Sequence, residues 1–179
     1  MTPSVTQPAV AVFGSADPRE GDEAYELARA VGRQLASLGY TVVNGGYGGT
    51  MEASARGARE AGGRTVGVTC SLWKSAPNRY VDETIDTADL FERARKLIDM
   101  GTGGYVVLPG ATGTLVELAL VWELLCKRFQ PEVPIVCVGE FWQPLVDMMA
   151  QQRPRCVGLV AVVAAADELC RHLPNCRVH

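Results

Sequence analysis

Glu117 is the side chain in this sequence best placed to do chemistry, because of what precedes it. The stretch Leu108-Pro109-Gly110-Ala111-Thr112-Gly113-Thr114-Leu115-Val116-Glu117 joins an apolar run over residues 104–108 to a helical pattern over residues 115–126. A strand that ends in a small-residue turn and opens a helix makes an anion site. The N–H groups of the turn have no partner of their own, and the helix dipole adds partial positive charge. Gly110, Thr112, Gly113 and Thr114 would hold a phosphate there through N–H and hydroxyl groups. A carboxylate one turn further on suits proton transfer or charge stabilisation on a phosphorylated small molecule. The same spacing has a second reading. Thr114-Leu115-Val116-Glu117 fits a capping box, in which the Glu side chain only reaches back to the cap N–H.

Two more small-residue turns follow apolar runs. Gly14-Ser15 follows Ala9–Phe13 and offers the Ser15 hydroxyl. Residues 45–49, Gly-Gly-Tyr-Gly-Gly, follow Thr41–Asn44. They precede Thr50, which is read as the cap of a helix reaching about Ala61, so Gly46, Gly49 and Thr50 would supply further donors. Arg93, Arg95 and Lys96 lie on a helical pattern over residues 89–100, just before the 104–108 run. An arginine there can grip a phosphate or carboxylate with two parallel hydrogen bonds; a basic helix face can also be merely solvated.

The elements that must carry these residues alternate along the chain. Apolar runs over Ala9–Phe13, Thr41–Asn44, residues 65–69, 104–108, Ile135–Val138 and 157–163 read as strands, with 81–87 a further extended segment. Helical periodicity covers about 22–38, 50–61, 89–100, 115–126, 141–152 and 167–172. This alternation predicts an α/β, Rossmann-like parallel sheet with helices on both faces, built as a single domain over residues 1–179 with a flexible stretch at 1–8. In such a sheet all three turns open on the same edge and converge on one ligand.

Composition and missing motifs narrow the chemistry. The 179 residues are 47% hydrophobic with a net charge of −3, which suits one domain with a core and gives no basic patch for nucleic acid. No apolar stretch is long enough to span a bilayer and residues 1–8 lack a signal-peptide pattern, so a cytoplasmic protein without a membrane partner is expected. Gly14-Ser15-Ala16 lacks GxGxxG spacing and there is no GxxxxGK[ST] loop, which disfavours an NAD enzyme or a P-loop ATPase. The two histidines, His172 and His179, both lie near the C-terminus, which disfavours a Ser–His–Asp or Cys–His centre, and no His/Asp/Glu cluster has metal-ligand spacing. No cofactor is called for. Six cysteines form no CxxC pair and mostly sit in apolar patterns; Cys170 and Cys176 are the pair most worth testing for a disulfide.

With these residues in place the chain resembles the LOG (Lonely Guy) family, long mislabelled as lysine decarboxylases. The family signature PGGxGTxxE reads here Pro109-Gly110-Ala111-Thr112-Gly113-Thr114-Leu115-Val116-Glu117, and its GGGxxGxM segment reads Asn44-Gly45-Gly46-Tyr47-Gly48-Gly49-Thr50-Met51. The resemblance covers about residues 10–145. It implies hydrolysis of the N-glycosidic bond of a nucleoside 5′-monophosphate, AMP or a cytokinin riboside monophosphate, by a homodimer. It also implies a catalytic pair made of the signature glutamate, Glu117, and an arginine on the preceding helix, Arg93, with Arg95 as the alternative. A binding or carrier protein, similar to molybdenum-cofactor carriers, is the rival expectation. Two departures stand out. Ala111 replaces a Gly and brings a Cβ that could crowd the phosphate or forbid positive φ. Asn44 replaces another Gly, and Asn is the residue best able to imitate Gly at left-handed φ.

Overall fold

In the computed structural model, which describes residues 7–174, seven strands form one parallel sheet. In chain order the elements are β1 (Ala9–Phe13), α1 (Glu23–Ser37), β2 (Thr41–Asn44), α2 (Thr50–Glu60), β3 (Thr65–Cys70), β4 (Glu83–Thr87), α3 (Leu90–Met100), β5 (Gly104–Val107), α4 (Thr112–Cys126), β6 (Ile135–Val138), α5 (Gln143–Gln152) and β7 (Val160–Val163). Short 3₁₀ turns cover Glu140–Trp142, Pro154–Leu159 and Ala166–Arg171.

The sheet order is β4-β3-β2-β1-β5-β6-β7. The chain therefore works outward from β1 to one edge, then returns to lay β5 on the other side of β1. Register pairs Val10 with Val42 of β2 and with Gly104 of β5. The topological switch point thus lies between β1 and β5, where open α/β sheets leave a crevice at the carboxyl ends of the strands.

Short apolar strands form here because both sheet faces are covered. Along β1, Val10 and Val12 pack into one core with Tyr25, Ala28, Val31 and Leu35 of α1. Ala11 and Phe13 point the other way, into a core with Leu97 and Ile98 of α3 and Leu118, Val121 and Trp122 of α4. The period of two in the strands and the 3–4 spacing in the helices are both satisfied by this two-sided burial. α1 ends where expected: Gly39 takes φ +83, and its N–H and that of Tyr40 donate to the carbonyls of Ala36 and Leu35.

Several boundaries differ from the sequence expectation. The first turn of the 141–152 pattern is the Glu140–Trp142 3₁₀ turn, and α5 itself starts at Gln143. Residues 157–159 belong to a 3₁₀ segment rather than to β7, and the final helix is 3₁₀ throughout. These are short apolar segments, where periodicity alone does not separate strand from turn. The disulfide expectation also changes. Cys126 at the end of α4 is bonded to Cys156, with Cα atoms 5.5 Å apart, and Cys170 is a free thiol. Cys176, His179 and residues 1–6 of the stretch 1–8 expected to be flexible lie outside the described residues. The real pair is 30 residues apart in sequence, and only the packing of the Pro154–Leu159 turn against α4 makes them neighbours; Trp122 Nε1 donates to the Cys156 carbonyl at 2.8 Å.

Candidate active site

At the switch point a cleft of about 420 Å³ opens among the turns that follow β1, β2 and β5. Ser15 and Asp17 border it from the first turn, Gly45 and Tyr47 from the second, and Ala111, Gly113 and Thr114 from the third. Arg93, Glu117, Met51 and Trp73 complete the wall.

The third turn is a cradle whose donors are free. α4 starts at Thr112, three residues earlier than periodicity predicts, because Ala111 takes the cap position in extended geometry. No side chain caps this helix and its first turn holds no acid. Its leading N–H groups therefore have no internal anion, and Gly113 and Thr114 of this first turn border the cleft. Leu115 N–H, the first with a helical partner, donates to the Ala111 carbonyl at 3.0 Å. The Thr114 hydroxyl is buried and, among the described residues, is the buried side-chain polar atom with no hydrogen-bond partner. A Cβ on Gly110 would collide with that Thr114 side chain, which explains a glycine at that point. Ala111 sits at φ −92 and ψ −155 and is exposed. The fear that it needs positive φ is not realised.

The early start of α4 also disposes of the capping box. Glu117 lies well inside the helix rather than at its third residue, and its carboxylate turns to Arg93. Arg93 Nη1 lies 3.5 Å from Glu117 Oε1, with the two side chains 8% and 14% exposed. Burial pushes the Glu117 carboxyl up to about 7, while the Arg93 charge pulls it down. A carboxyl held near neutrality beside a fixed cation can exchange a proton at physiological pH.

Arg93 is seated by its surroundings. α3 is started firmly by Asp89, whose Oδ1 accepts from the N–H groups of Phe91 and Glu92 at 2.8 Å. That places Arg93 facing inward at the first turn, where its Nε donates to the Val68 carbonyl at 2.8 Å. Its guanidinium carbon lies 5.2 Å from the Trp73 ring centre and 5.9 Å from that of Tyr47. A Cβ on Gly45 would occupy the guanidinium's own position, so the second turn must pass this point as glycine. Arg95, two residues on, is exposed and away from the cleft, which leaves Arg93 as the arginine that meets Glu117.

Other expected donors are spent on structure. Thr50 does not cap α2; Gly49 holds that position at φ +66. Thr50 gives both its N–H and its hydroxyl to the Ser15 carbonyl, at 2.8 and 3.0 Å, and so ties the first turn to α2. Gly46 N–H donates to Asn44 Oδ1 at 2.9 Å and is not available to a ligand. None of Gly46, Gly49 and Thr50 borders the cleft, nor do Gly110 and Thr112. The Ser15 hydroxyl does, although it is engaged with Asp17 at 3.1 Å. Asn44 acts through its side chain rather than by a left-handed backbone. It lies in β2, fully buried, and its Nδ2 donates to the Met51 carbonyl and Ser54 hydroxyl.

The residues that sequence reasoning missed are the aromatic and apolar wall: Tyr47, Trp73 and Met51, with Asp17 at the rim. Tyr47 lay inside the Gly-rich turn and Trp73 in a loop; neither has a periodic neighbour to mark it. Among the described residues no group of three or more His, Cys, Asp or Glu side chains gathers as a metal site, and no helix is long and apolar enough to cross a membrane.

Comparison with known proteins bears on the family and the fold. A cytokinin riboside 5′-monophosphate phosphoribohydrolase of Mycobacterium tuberculosis is 38% identical over 116 residues, 63% of this chain and 61% of the relative. The match thus spans about three-fifths of that relative's length. Among solved structures, a molybdenum cofactor carrier protein from Chlamydomonas reinhardtii superposes with TM-score 0.67 at 27% identity, covering 89% of this chain and 91% of that one. A molybdenum cofactor binding protein from Rippkaea orientalis, 21% identical, shares the fold with TM-score 0.76 over 94% and 96% of the two chains. The SLOG cluster4 family matches residues 7–156, and the chain belongs to that LOG-like family.

Proposed function

We propose that the protein hydrolyses the N-glycosidic bond of a nucleoside 5′-monophosphate, such as AMP or a cytokinin riboside monophosphate, to free base and ribose 5-phosphate. The observation that carries this reading is the Arg93–Glu117 pair, 3.5 Å apart, standing beside the uncapped start of α4. The phosphate would sit on the N–H groups at the head of α4, with the Thr114 hydroxyl, unpaired in the described residues, completing its contacts. Cleavage of the C1′–N bond develops positive charge on the sugar. Glu117 as a carboxylate would stabilise that charge and take one proton from the attacking water, whose remaining O–H adds to C1′ as the C1′–N bond breaks; passing that proton on to the departing base nitrogen regenerates the carboxylate. Arg93 would hold Glu117 and orient the ribose phosphate. The name of the Mycobacterium tuberculosis relative supports the substrate class.

A homodimer in the cytoplasm accompanies this reading. α4 is apolar on more than its core face, and Leu115, Val116 and Leu120 are exposed along it, which is suited to a second copy.

A second reading keeps the ligand and drops the turnover. The fold shared with the carrier protein from Chlamydomonas reinhardtii, 27% identical over 89% of this chain, supports it. The test is incubation with a panel of nucleoside monophosphates, with chromatography for free base and calorimetry for binding. Base released by the wild type and not by Glu117→Gln supports hydrolysis. Tight binding with no base released supports the carrier reading.

A further inference from the structure

The cleft has two chemically different ends, and the proposed reaction accounts for only one. The polar end lies at the β1/β5 switch point. The other end, beyond Arg93, is aromatic: Tyr47 and Trp73 meet edge to face with ring centres 5.5 Å apart and an interplanar angle of 78°. Neither ring serves the core. Tyr47 is half-buried and Trp73 is 45% exposed, although both border the cleft. An indole exposed in a concave site beside a buried cation presents apolar surface to whatever fills the cleft.

The arrangement is built rather than incidental. The Tyr47 hydroxyl accepts from Cys70 N–H at 2.9 Å and donates to the Cys70 carbonyl at 3.2 Å, which locks the ring to the end of β3. The Trp73 backbone N–H donates to the same Cys70 carbonyl at 3.0 Å. Asn78 fastens the far end of the loop to the second turn, with its Nδ2 donating to the carbonyls of Gly46 and Tyr47. Loop and turn are therefore tied together. Sheet order fixes the span: the aromatic pair hangs from β2 and β3, and the cradle from β5, two to three strands away. At about 4.8 Å per strand that is roughly 10–14 Å, the reach of an extended nucleoside monophosphate.

We propose that Tyr47 and Trp73 form the base subsite of the cleft, a stacking wall for a fused planar heterocycle, and that Trp73 sets the preference for two-ring over one-ring bases. The proposal rests on the nucleotide reading above for its ligand. Arg93 and Tyr47 contact the indole, and the surface that it leaves exposed in the cleft would meet the base, so the larger π-face of a purine gains most. Phosphate and ribose contacts, made at the other end, are indifferent to this wall.

The experiment is calorimetric titration of the Glu117→Gln protein, alone and combined with Trp73→Ala or Trp73→Phe, with AMP, CMP and ribose 5-phosphate as ligands. Base–aromatic stacking lost on truncation to alanine corresponds to about tenfold or more in affinity. Trp73→Ala should therefore weaken AMP about tenfold, weaken CMP less, and leave ribose 5-phosphate unchanged; Trp73→Phe should recover most of the AMP affinity. Equal loss for AMP and ribose 5-phosphate, or no loss for either, overturns the base subsite while leaving the hydrolase reading intact. AMP binding that depends on Trp73 in a wild-type protein that releases no base sustains the subsite and sinks the hydrolase. Failure of all three ligands to bind at millimolar concentration overturns both.

Discussion

Arg93 and Glu117 come from helices on either side of β5 in the chain, yet their side chains meet 3.5 Å apart under the carboxyl ends of the sheet. The pair is asymmetric. Arg93 has a second fixed partner in the Val68 carbonyl and two aromatic rings nearby. Among the described residues Glu117 is paired with the arginine alone, and burial pushes its carboxyl up to about 7. The cation is an anchored support and the carboxyl is the group free to change its proton.

Glu117→Gln should reduce base release from AMP by about a hundredfold or more, the range for loss of a positioned acid–base group. Melting temperature should hold or rise, since Gln has the same shape and no charge to bury. Thermal melts and a chromatographic assay on the same samples check both halves. A fall in stability with activity retained would return Glu117 to a structural role.

The same carboxyl predicts a pH dependence of stability. Its folded value, about 7, lies above the ordinary value of 4.5. Below about pH 4.5 it is protonated in folded and unfolded chains alike, and burial brings no charge penalty. As pH rises through 4.5 to 7 the unfolded chain releases the proton first, so this contribution to stability is lost, on the order of 3 kcal/mol once pH exceeds 7. Urea melts at pH 5 and pH 8 should show the wild type losing stability relative to Glu117→Gln at the higher pH. In the same interval kcat/KM should climb as the carboxylate forms.

Arg93→Lys should keep a charge near Glu117 but lose the fork that reaches Val68. Activity should fall while the inflection of the pH profile stays near neutral. Arg93→Met removes the charge that lowers the Glu117 carboxyl, so the inflection should move to higher pH. An unmoved inflection in Arg93→Met, measured on protein with a cooperative melt, would show that the two residues are not coupled.

The strands and the three turns were legible in the sequence because both signals are local. A buried parallel strand needs a short apolar run such as Val10-Ala11-Val12, and a close turn needs small residues. Glu117 and Arg93 were legible as chemistry-bearing types near a cradle. What local pattern cannot carry is which N–H groups remain free. Gly46, Gly49 and Thr50 look like donors until Asn44 and the Ser15 carbonyl take up Gly46 and Thr50 and Gly49 turns to capping. Nor can it carry the start of α4, since Thr112 and Gly113 are poor helix formers whose position is set by the turn's packing against Thr114. Trp73 in its loop offers no periodicity at all, and only sheet order brings it to Arg93.

Ala111→Gly tests the one signature position that departs from the family. Ala111 already adopts negative φ with its side chain in solvent. Restoring glycine should give no gain in base release and should cost about 0.5–1 kcal/mol through unfolded-state entropy. A large gain in activity would mean that the Cβ obstructs the phosphate after all.

Thr114→Val separates binding from folding by opposite signs. The Thr114 hydroxyl is buried without a partner in the described residues, so its desolvation weighs against the folded state in the absence of ligand. Valine has nearly the same shape and no such group. The free protein should become more stable, by about 1 kcal/mol, as read from urea or thermal unfolding. Affinity for ribose 5-phosphate should fall about tenfold, because a hydrogen bond to a charged phosphate oxygen is lost. The two measurements must diverge for the hydroxyl to be a ligand group. If Thr114→Val destabilises the protein and leaves ribose 5-phosphate affinity unchanged, the hydroxyl belongs to the fold, and the phosphate must be held by the N–H groups of α4 alone.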